Sequence, residues 1–188
     1  MILPSAETVV LLLQGLVVPL LLIMFILDGM IVGKVTPPAA VYIAFVVLID
    51  PVLWILLVIV ALCVCCSTLG QFTVFRGFNE DSREYIGIRR RLPYIDRLPG
   101  IVRARIGPRR MRLVERLFAE FGGPALLITN AIPGIRSLMS IPAGLSHYST
   151  RKFLLFSTLG NLGYLIVLTG VAWGLDDLLD ALMPSVAL

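Results

Sequence analysis

Asn130-Ala131-Ile132-Pro133-Gly134-Ile135-Arg136-Ser137 puts a proline, a glycine and an arginine in the middle of otherwise apolar sequence. Pro133 removes a backbone donor and Gly134 frees the chain from helical dihedrals, so a helix arriving here stops. Arg136 then brings a charge that protein surroundings do not remove. Whether this island is a surface loop or a break inside a bilayer depends on its flanks. The uncharged runs are residues 8–27, 35–49, 51–75, 121–135 and 153–175. The first, third and fifth reach the roughly 20 residues that a helix needs to cross the hydrocarbon. Of 188 residues, 58% are hydrophobic and 15% charged, whereas soluble domains carry roughly a quarter charged. A chain this short encloses too small a core to bury so much apolar surface. Lipid is therefore the expected solvent, and the fold class an all-α membrane protein.

The second and fourth runs are too short to span, and Pro37, Pro38, Pro124, Pro133 and Pro142 interrupt the segments that hold them. Backbone freed by such breaks needs partners in protein or water, so irregular chain at membrane depth lines a cavity. Both segments, 34–50 and 121–150, read as re-entrant hairpins. The N-terminus lacks the basic residues of a secretory signal, and its apolar run exceeds a signal's core. Residues 8–32 are expected as a retained first helix with Pro19 as a kink point.

Twelve of the sixteen basic residues lie between positions 76 and 118 against five acidic ones, a net +7 there and −3 over the rest. Such a loop between uncharged runs fits a cytoplasmic location under the positive-inside rule. Nucleic-acid binding calls for interleaved aromatics or a groove-reading motif, and the sequence has neither. Ser67-Thr68-Leu69-Gly70-Gln71 recurs as Ser157-Thr158-Leu159-Gly160-Asn161, each copy in a spanning run that follows a broken segment. The repetition favours a duplicated unit. With 76–118 inside, the span ending at Phe75 runs inward, and the last runs outward from Arg151 and Lys152 to Asp176, Asp177 and Asp180. The two units form an inverted repeat, which in transporters brackets a site near the midplane. Pro108–Phe121 reads as an amphipathic helix, with Met111, Val114, Leu117, Phe118 and Phe121 on one face and Gly122 after its end. It either lies in the interface of an anionic leaflet or packs on the domain as a linker.

The charges inside the apolar segments are Asp28, Lys34, Asp50 and Arg136. Each costs roughly 2.5–3.5 kcal/mol at mid-bilayer on insertion scales, so each calls for a function or a partner. Asp50, before Pro51, suits a cap on the following helix. Lys34 either snorkels to the outer interface or pairs with Asp28. Asp28 ends a long apolar run ahead of Gly29, Gly33 and two prolines, and is a candidate proton carrier. Arg136 can grip a phosphate with two parallel hydrogen bonds, helped by N–H groups at a broken helix end. The alternative is an arginine held for packing against carbonyls or Asp28. Cys63, Cys65 and Cys66 read as small packing residues rather than metal ligands. Gly29-x-x-x-Gly33 and Gly170-x-x-x-Gly174 read as close helix contacts. Without a Walker A or GxGxxG motif, no nucleotide cofactor is expected. A lipid phosphatase needs a supported base or nucleophile, or several metal-binding acids. One histidine and one deeply placed aspartate fall short, so an enzyme is not expected.

Pro133-Gly134-Ile135-Arg136, followed by Ala143-Gly144 and by Phe153, Ser157, Gly160 and Tyr164, resembles the signature of the DedA family of membrane proteins, which share the VTT domain. That signature reads Arg-x-x-Pro-x-x-Arg, then Ala-Gly, Phe, Asn, Gly and Trp at set spacings. Here Asn130 replaces the first Arg, and Ser157 and Tyr164 stand where Asn and Trp are usual. In the first half Asp28 and Pro38 suit the family's acid and proline, while Ala40 stands where a second acid belongs. One anion and one cation are thus missing together.

The resemblance implies translocation or scrambling of an anionic lipid such as a polyprenyl phosphate, with proton coupling in some members. It implies one VTT-like domain over 1–188 in the plasma or inner membrane. Its halves, 8–75 and 121–175, would flank a basic cytoplasmic loop and amphipathic helix at 76–120. Arg136, Asn130, Pro133, Gly134 and Gly144 would hold the lipid headgroup, Asp28 the proton, and Lys34, Pro38 and Gly160 would shape the pocket. No metal or other cofactor is expected, and an oligomer is compatible with the sequence. Proton or ion conduction and lipid modification are the alternatives.

Overall fold

A computed structural model describes residues 6–30, 38–78, 108–132, 135–146 and 148–182, and every regular element among them is an α-helix. In chain order these are α1 (Ala6–Gly29), α2 (Pro38–Ile49), α3 (Leu53–Phe78), α4 (Pro108–Phe121), α5 (Gly123–Ala131), α6 (Ser140–Leu145) and α7 (Thr150–Leu182). Leu53–Phe78 and residues Thr150–Leu179 of α7 are long and apolar enough to cross a membrane. α1 continues through Pro19 as one helix. The basic stretch 79–107 lies outside the described residues.

The expected breaks fall where proline chemistry puts them. α5 ends at Ile132, which is extended (φ −100°, ψ 117°), the conformation that a following proline imposes on its neighbour. Residues 135–139 form turns closed by bonds such as Leu138 N–H to Ile135 O (3.0 Å), and the six-residue α6 follows. Asp50 departs from expectation. Its backbone is left-handed (φ 41°) and its N–H donates to Val46 O at 3.1 Å, the single-bond motif that closes a helix C-terminus. α3 starts three residues later, with Val52 O accepting from Ile55 and Leu56 N–H. Asp50 therefore ends α2 rather than capping α3, because Pro51 and Val52 stay outside the helix.

Packing pairs the elements in two matching sets. α1 lies along α3 as α5 lies along α7, while α2 packs on α7 and α6 on α3. The close contacts are made at the repeated glycines. A Cβ on Gly70 would run into Ile26 O and sit 3.0 Å from Gly29 Cα, and one on Gly160 would sit 2.6 Å from Asn130 Cβ. The other small-residue pair behaves differently, since Gly170 and Gly174 face open space in this chain. They make no close helix contact here.

The radial distribution of polarity is that of a protein dissolved in lipid. Leu57, Val58, Leu69, Leu155, Ile166 and Val167 are exposed, while Ser67, Gln71, Asn130, Ser157 and Asn161 are buried. Buried polar groups are tolerable where they bond one another, and a broad apolar exterior on a monomer marks contact with something apolar. Two apolar clusters occupy opposite ends. One joins Tyr42, Leu56, Ile59, Cys63, Leu165 and Leu168; the other joins Phe75, Leu126, Met139, Ala143 and Phe153, with the Phe75 and Phe153 rings stacked at 4.2 Å. Leu53 and Leu56 share a cavity of about 310 Å³ with Trp173, so the start of α3 meets the end of α7 and the two helices run antiparallel. Exposed Trp54 and Trp173 thus mark one end, together with Asp50, Asp176 and Asp177. Arg76, Arg112, Arg116, Arg151 and Lys152 gather at the other. There α4 spends part of its apolar face on the domain: Phe118 meets Tyr148 edge-on at 5.4 Å, while Leu113 and Phe121 stay exposed.

Candidate functional site

Between the two apolar clusters, near the middle of α3 and within the first part of α7, lies a polar layer. Ser67 and Gln71 are one turn apart on α3, and Ser157 and Asn161 one turn apart on α7, so each pair presents to a single face. These residues are the two copies of the repeated pentapeptide, and the copies meet. Gln71 Nε2 donates to Asn161 Oδ1 (3.3 Å) and to Asn130 Oδ1 (3.1 Å). Asn161 Nδ2 donates to Gln71 Oε1 (3.2 Å) and Thr68 Oγ1 (3.0 Å). Asn130 Nδ2 returns a bond to Gln71 Oε1 (3.4 Å).

Beside this amide cluster lies Arg136, carried on the turn between α5 and α6 and only 3% exposed. Its Nε is 3.2 Å from Asp28 Oδ2, its Nη2 donates to Ser67 Oγ, and its guanidinium lies 4.3 Å from the centre of the Tyr164 ring and 5.8 Å from that of Phe25. Four elements thus converge on one cation: α1 through Asp28 and Phe25, α3 through Ser67, α7 through Tyr164, and the broken segment that bears it. Cation–π stacking and a carboxylate together compensate a charge that would otherwise be costly at this depth. Arg136 Nη1 and Ser157 Oγ are buried with no hydrogen-bond partner among the described residues, and Arg136 Nε meets Asp28 Oδ2 as an ion pair without hydrogen-bond geometry. Buried groups in this condition are exceptions that call for an explanation, such as a ligand or water.

Of the sequence-predicted residues, the structure brings Arg136 and Asp28 together and puts Asn130 next door, held by Gln71. Gly160 packs against Asn130 and Leu127. Pro38 is buried as the first residue of α2. Gly144 abuts Phe75 O and Phe78 on α3, about 12 Å along the helix from Ser67 by its rise per residue, and serves helix packing there. Lys34, Pro133 and Gly134 lie outside the described residues. Sequence reasoning missed Ser67, Gln71, Asn161 and Tyr164 as site residues. The signal for Ser67, Gln71 and Asn161 was present in the pentapeptide repeat, read only as a mark of duplication, and Tyr164 figured only in the family signature.

The fold and site define a class: an α-helical membrane protein with a shielded arginine–carboxylate pair halfway along its long helices. Residues 18–173 match the VTT domain, and the chain belongs to the DedA family, whose domain this is. Among curated relatives, 93 residues are 34% identical to "Alkaline phosphatase-like protein" of Lactococcus lactis subsp. cremoris (strain MG1363). They are 36% identical to the protein of the same name from Lactococcus lactis subsp. lactis (strain IL1403). Each alignment takes in 46% of this chain and 44% of the relative, so the chain spans less than half the length of the curated relatives it matches. No solved structure matches.

Proposed function

We propose that this chain translocates or scrambles an anionic lipid, such as a polyprenyl phosphate, between leaflets, with Arg136 receiving the headgroup. The observation that carries this reading is the buried guanidinium with an unpartnered Nη1 at mid-depth. A phosphate oxygen satisfies that donor, while the lipid's tail stays in the hydrocarbon against the apolar exterior. Asn130 and the amide cluster offer further hydrogen bonds along the same layer, and Asp28 is the group that exchanges protons.

The membrane arrangement we infer has α1, α3 and α7 crossing, with 34–50 and 121–150 as re-entrant segments. It places 8–75 and 121–175 as inverted halves of one domain spanning 1–188. The matched packing of the two halves and the meeting of their repeated pentapeptides support this reading. The lengths of α2, α5 and α6 agree with it: twelve, nine and six residues fall well short of about 20 for a crossing. The basic end, with residues 76–120, faces the cytoplasm in a plasma or inner membrane, as the positive-inside rule favours.

The relatives' printed name suggests phosphate-ester hydrolysis instead, and both readings share recognition of a phosphate. We favour transport because a hydrolase needs a nucleophile with its base, or a cluster of metal-binding acids. Among the described residues no three His, Cys, Asp or Glu side chains stand together. Flux of labelled polyprenyl phosphate in vesicles reconstituted with the purified chain decides between them. Transport moves the lipid unchanged, and Arg136→Ala abolishes it; release of inorganic phosphate, or undiminished flux in Arg136→Ala, refutes the proposal.

A further inference from the structure

The two halves correspond residue by residue at their close contacts. Gly70 of α3 meets Ile26 O and Gly29 of α1, and Gly160 of α7 meets Leu127 O and Asn130 of α5. Ile26 thus matches Leu127 and Gly29 matches Asn130, as Ser67 matches Ser157 in the repeated pentapeptide. The two serines are equally inaccessible, each 0% exposed, yet only one is used. Ser67 Oγ accepts from Arg136, whereas Ser157 Oγ has no partner among the described residues. A hydroxyl inside a helix can turn to the carbonyl four residues back, as Thr129 does to Ala125 O (2.6 Å) and Thr169 to Leu165 O (2.8 Å). Ser157 leaves the carbonyl of Phe153 unused. A buried polar group without a partner bears its full desolvation cost, so this hydroxyl calls for something that binds it.

We infer that Ser157 is a second station for the lipid phosphate, lying between Arg136 and the basic end, where its O–H donates to a phosphate oxygen. The inference rests on the reading of Arg136 as the headgroup site and adds the step by which that site is reached. Its place follows from the antiparallel run of α3 and α7. The two helices are level where Asn161 bonds Thr68 and Gln71. From there Ser67 and Tyr164, which hold Arg136, lie away from the basic end. Ser157, four residues before Asn161, lies about 6 Å toward it. Exposed Arg151 and Lys152 follow on the same helix less than two turns further on, so an anion drawn to those charges meets Ser157 before Arg136. Phe153, one turn nearer the basic end than Ser157, stacks on Phe75 at 4.2 Å, and the headgroup enters as that ring pair parts. The surroundings suit an anion: Thr129 stands where α1 has Asp28, so α5 brings no carboxylate to this level. A charged phosphate oxygen also bonds a hydroxyl more strongly than water does. The far end offers no such step, since Asp50, Asp176 and Asp177 repel an anion there and the hydroxyls of Tyr42 and Thr169 satisfy each other at 2.7 Å.

The test uses the full chain in phosphatidylcholine vesicles and reads flux of labelled polyprenyl phosphate together with stability. Ser157→Ala lowers flux at subsaturating lipid by about tenfold, the worth of one hydrogen bond to a charged group. The same variant unfolds in dodecyl sulfate no earlier than the unmodified chain, because alanine leaves no orphan hydroxyl behind. A second measurement reads occupancy. In a chain whose Cys63, Cys65 and Cys66 are replaced by alanine, Ser157→Cys reacts with the anion methanethiosulfonate ethylsulfonate roughly tenfold faster than with its trimethylammonium analogue. Didecyl phosphate at about ten times its dissociation constant slows that reaction about tenfold. Three results overturn the inference: unchanged flux in Ser157→Ala, lost flux that goes with earlier unfolding, or an introduced thiol that the phosphate does not protect. Each assigns Ser157 to packing or to a trapped water only, and leaves the Arg136 reading standing where Arg136→Ala abolishes flux. Undiminished flux in Arg136→Ala removes that reading and the inference together. Should the cysteine-free chain fail to fold, flux set against stability in Ser157→Ala decides alone.

Discussion

Replacing Asn161 by leucine and Gln71 by methionine, singly and together, tests whether the two halves meet as described. Both changes keep side-chain size and remove polarity. Asn161 takes part in three hydrogen bonds with other side chains and Gln71 in four; two of these join the residues to each other. Side-chain hydrogen bonds between membrane helices average about 0.6 kcal/mol each. On that scale Asn161→Leu costs about 1.8 kcal/mol and Gln71→Met about 2.4 kcal/mol. The double variant, which loses five distinct bonds, costs about 3.0 kcal/mol. The cycle therefore closes with a coupling of about 1.2 kcal/mol, within the range expected for residues in direct contact. Reversible unfolding of the purified chain by dodecyl sulfate in bicelles measures all four species. A coupling below about 0.3 kcal/mol, the level of independent sites, would falsify the central contact between α3 and α7 and with it the placement of Arg136 beside the amide layer.

Arg136→Lys reduces lipid flux more than tenfold while leaving the protein in the membrane, because an ammonium cannot hold Asp28 and Ser67 in a planar fork while stacking on Tyr164. Flux within twofold of the unmodified chain contradicts this. Gly70→Ala destabilises the chain by about 1–3 kcal/mol, the usual cost of overpacking, since the added methyl meets Ile26 O and Gly29. Gly170→Ala, with open space around it, is neutral or stabilises by up to about 1 kcal/mol; equal losses at the two glycines argue against the packing. In a cysteine-free background, a water-soluble maleimide applied outside intact cells labels Asp177→Cys and spares Arg112→Cys until the membrane is opened. The opposite pattern reverses the proposed orientation.

The sequence was most legible where one strong local rule acted. Composition and run lengths announced lipid as solvent, Pro133 predicted the end of α5, and Gly122 the end of α4. The cost of a charge in hydrocarbon singled out both Arg136 and Asp28, and their pairing, offered by the sequence as the packing alternative for Arg136, is what the structure shows. That pairing is tertiary: it needs α1 to lie along α3 and the broken segment to reach the same level. The amide layer stayed hidden for a different reason. Ser67, Gln71, Ser157 and Asn161 are uncharged, so no single one of them breaks a span, and their i, i+4 spacing becomes a signal only once the two helices are known to cross there. Asp50 misled because an acid before proline suits two opposite roles. Helix termination by a left-handed residue won over capping, and the sequence carries no mark of which would prevail.

Electroneutrality then constrains how such a site works. Arg136 and Asp28 cancel while paired, so the resting chain keeps no net charge at that level from these two groups. An uncompensated charge at mid-bilayer costs about 2.5–3.5 kcal/mol on insertion scales, a factor of roughly 60 to 320 in population at 1.4 kcal/mol per tenfold. A monoanionic headgroup arriving without a proton leaves the site at −1 and bears that penalty. The same headgroup arriving with a proton on Asp28 leaves it neutral. On the proposed transport reading, the unprotonated complex would then be the rarer one. A second cation in the layer would relax this rule by neutralising phosphate and carboxylate at once. The residue at position 130 is an asparagine occupied with Gln71, so it supplies hydrogen bonds but no charge. Asn130→Arg should accordingly loosen the coupling: flux of a phosphodiester lipid in that variant loses its dependence on pH between 6 and 8. An unchanged pH dependence shows that charge balance within this layer does not govern transport.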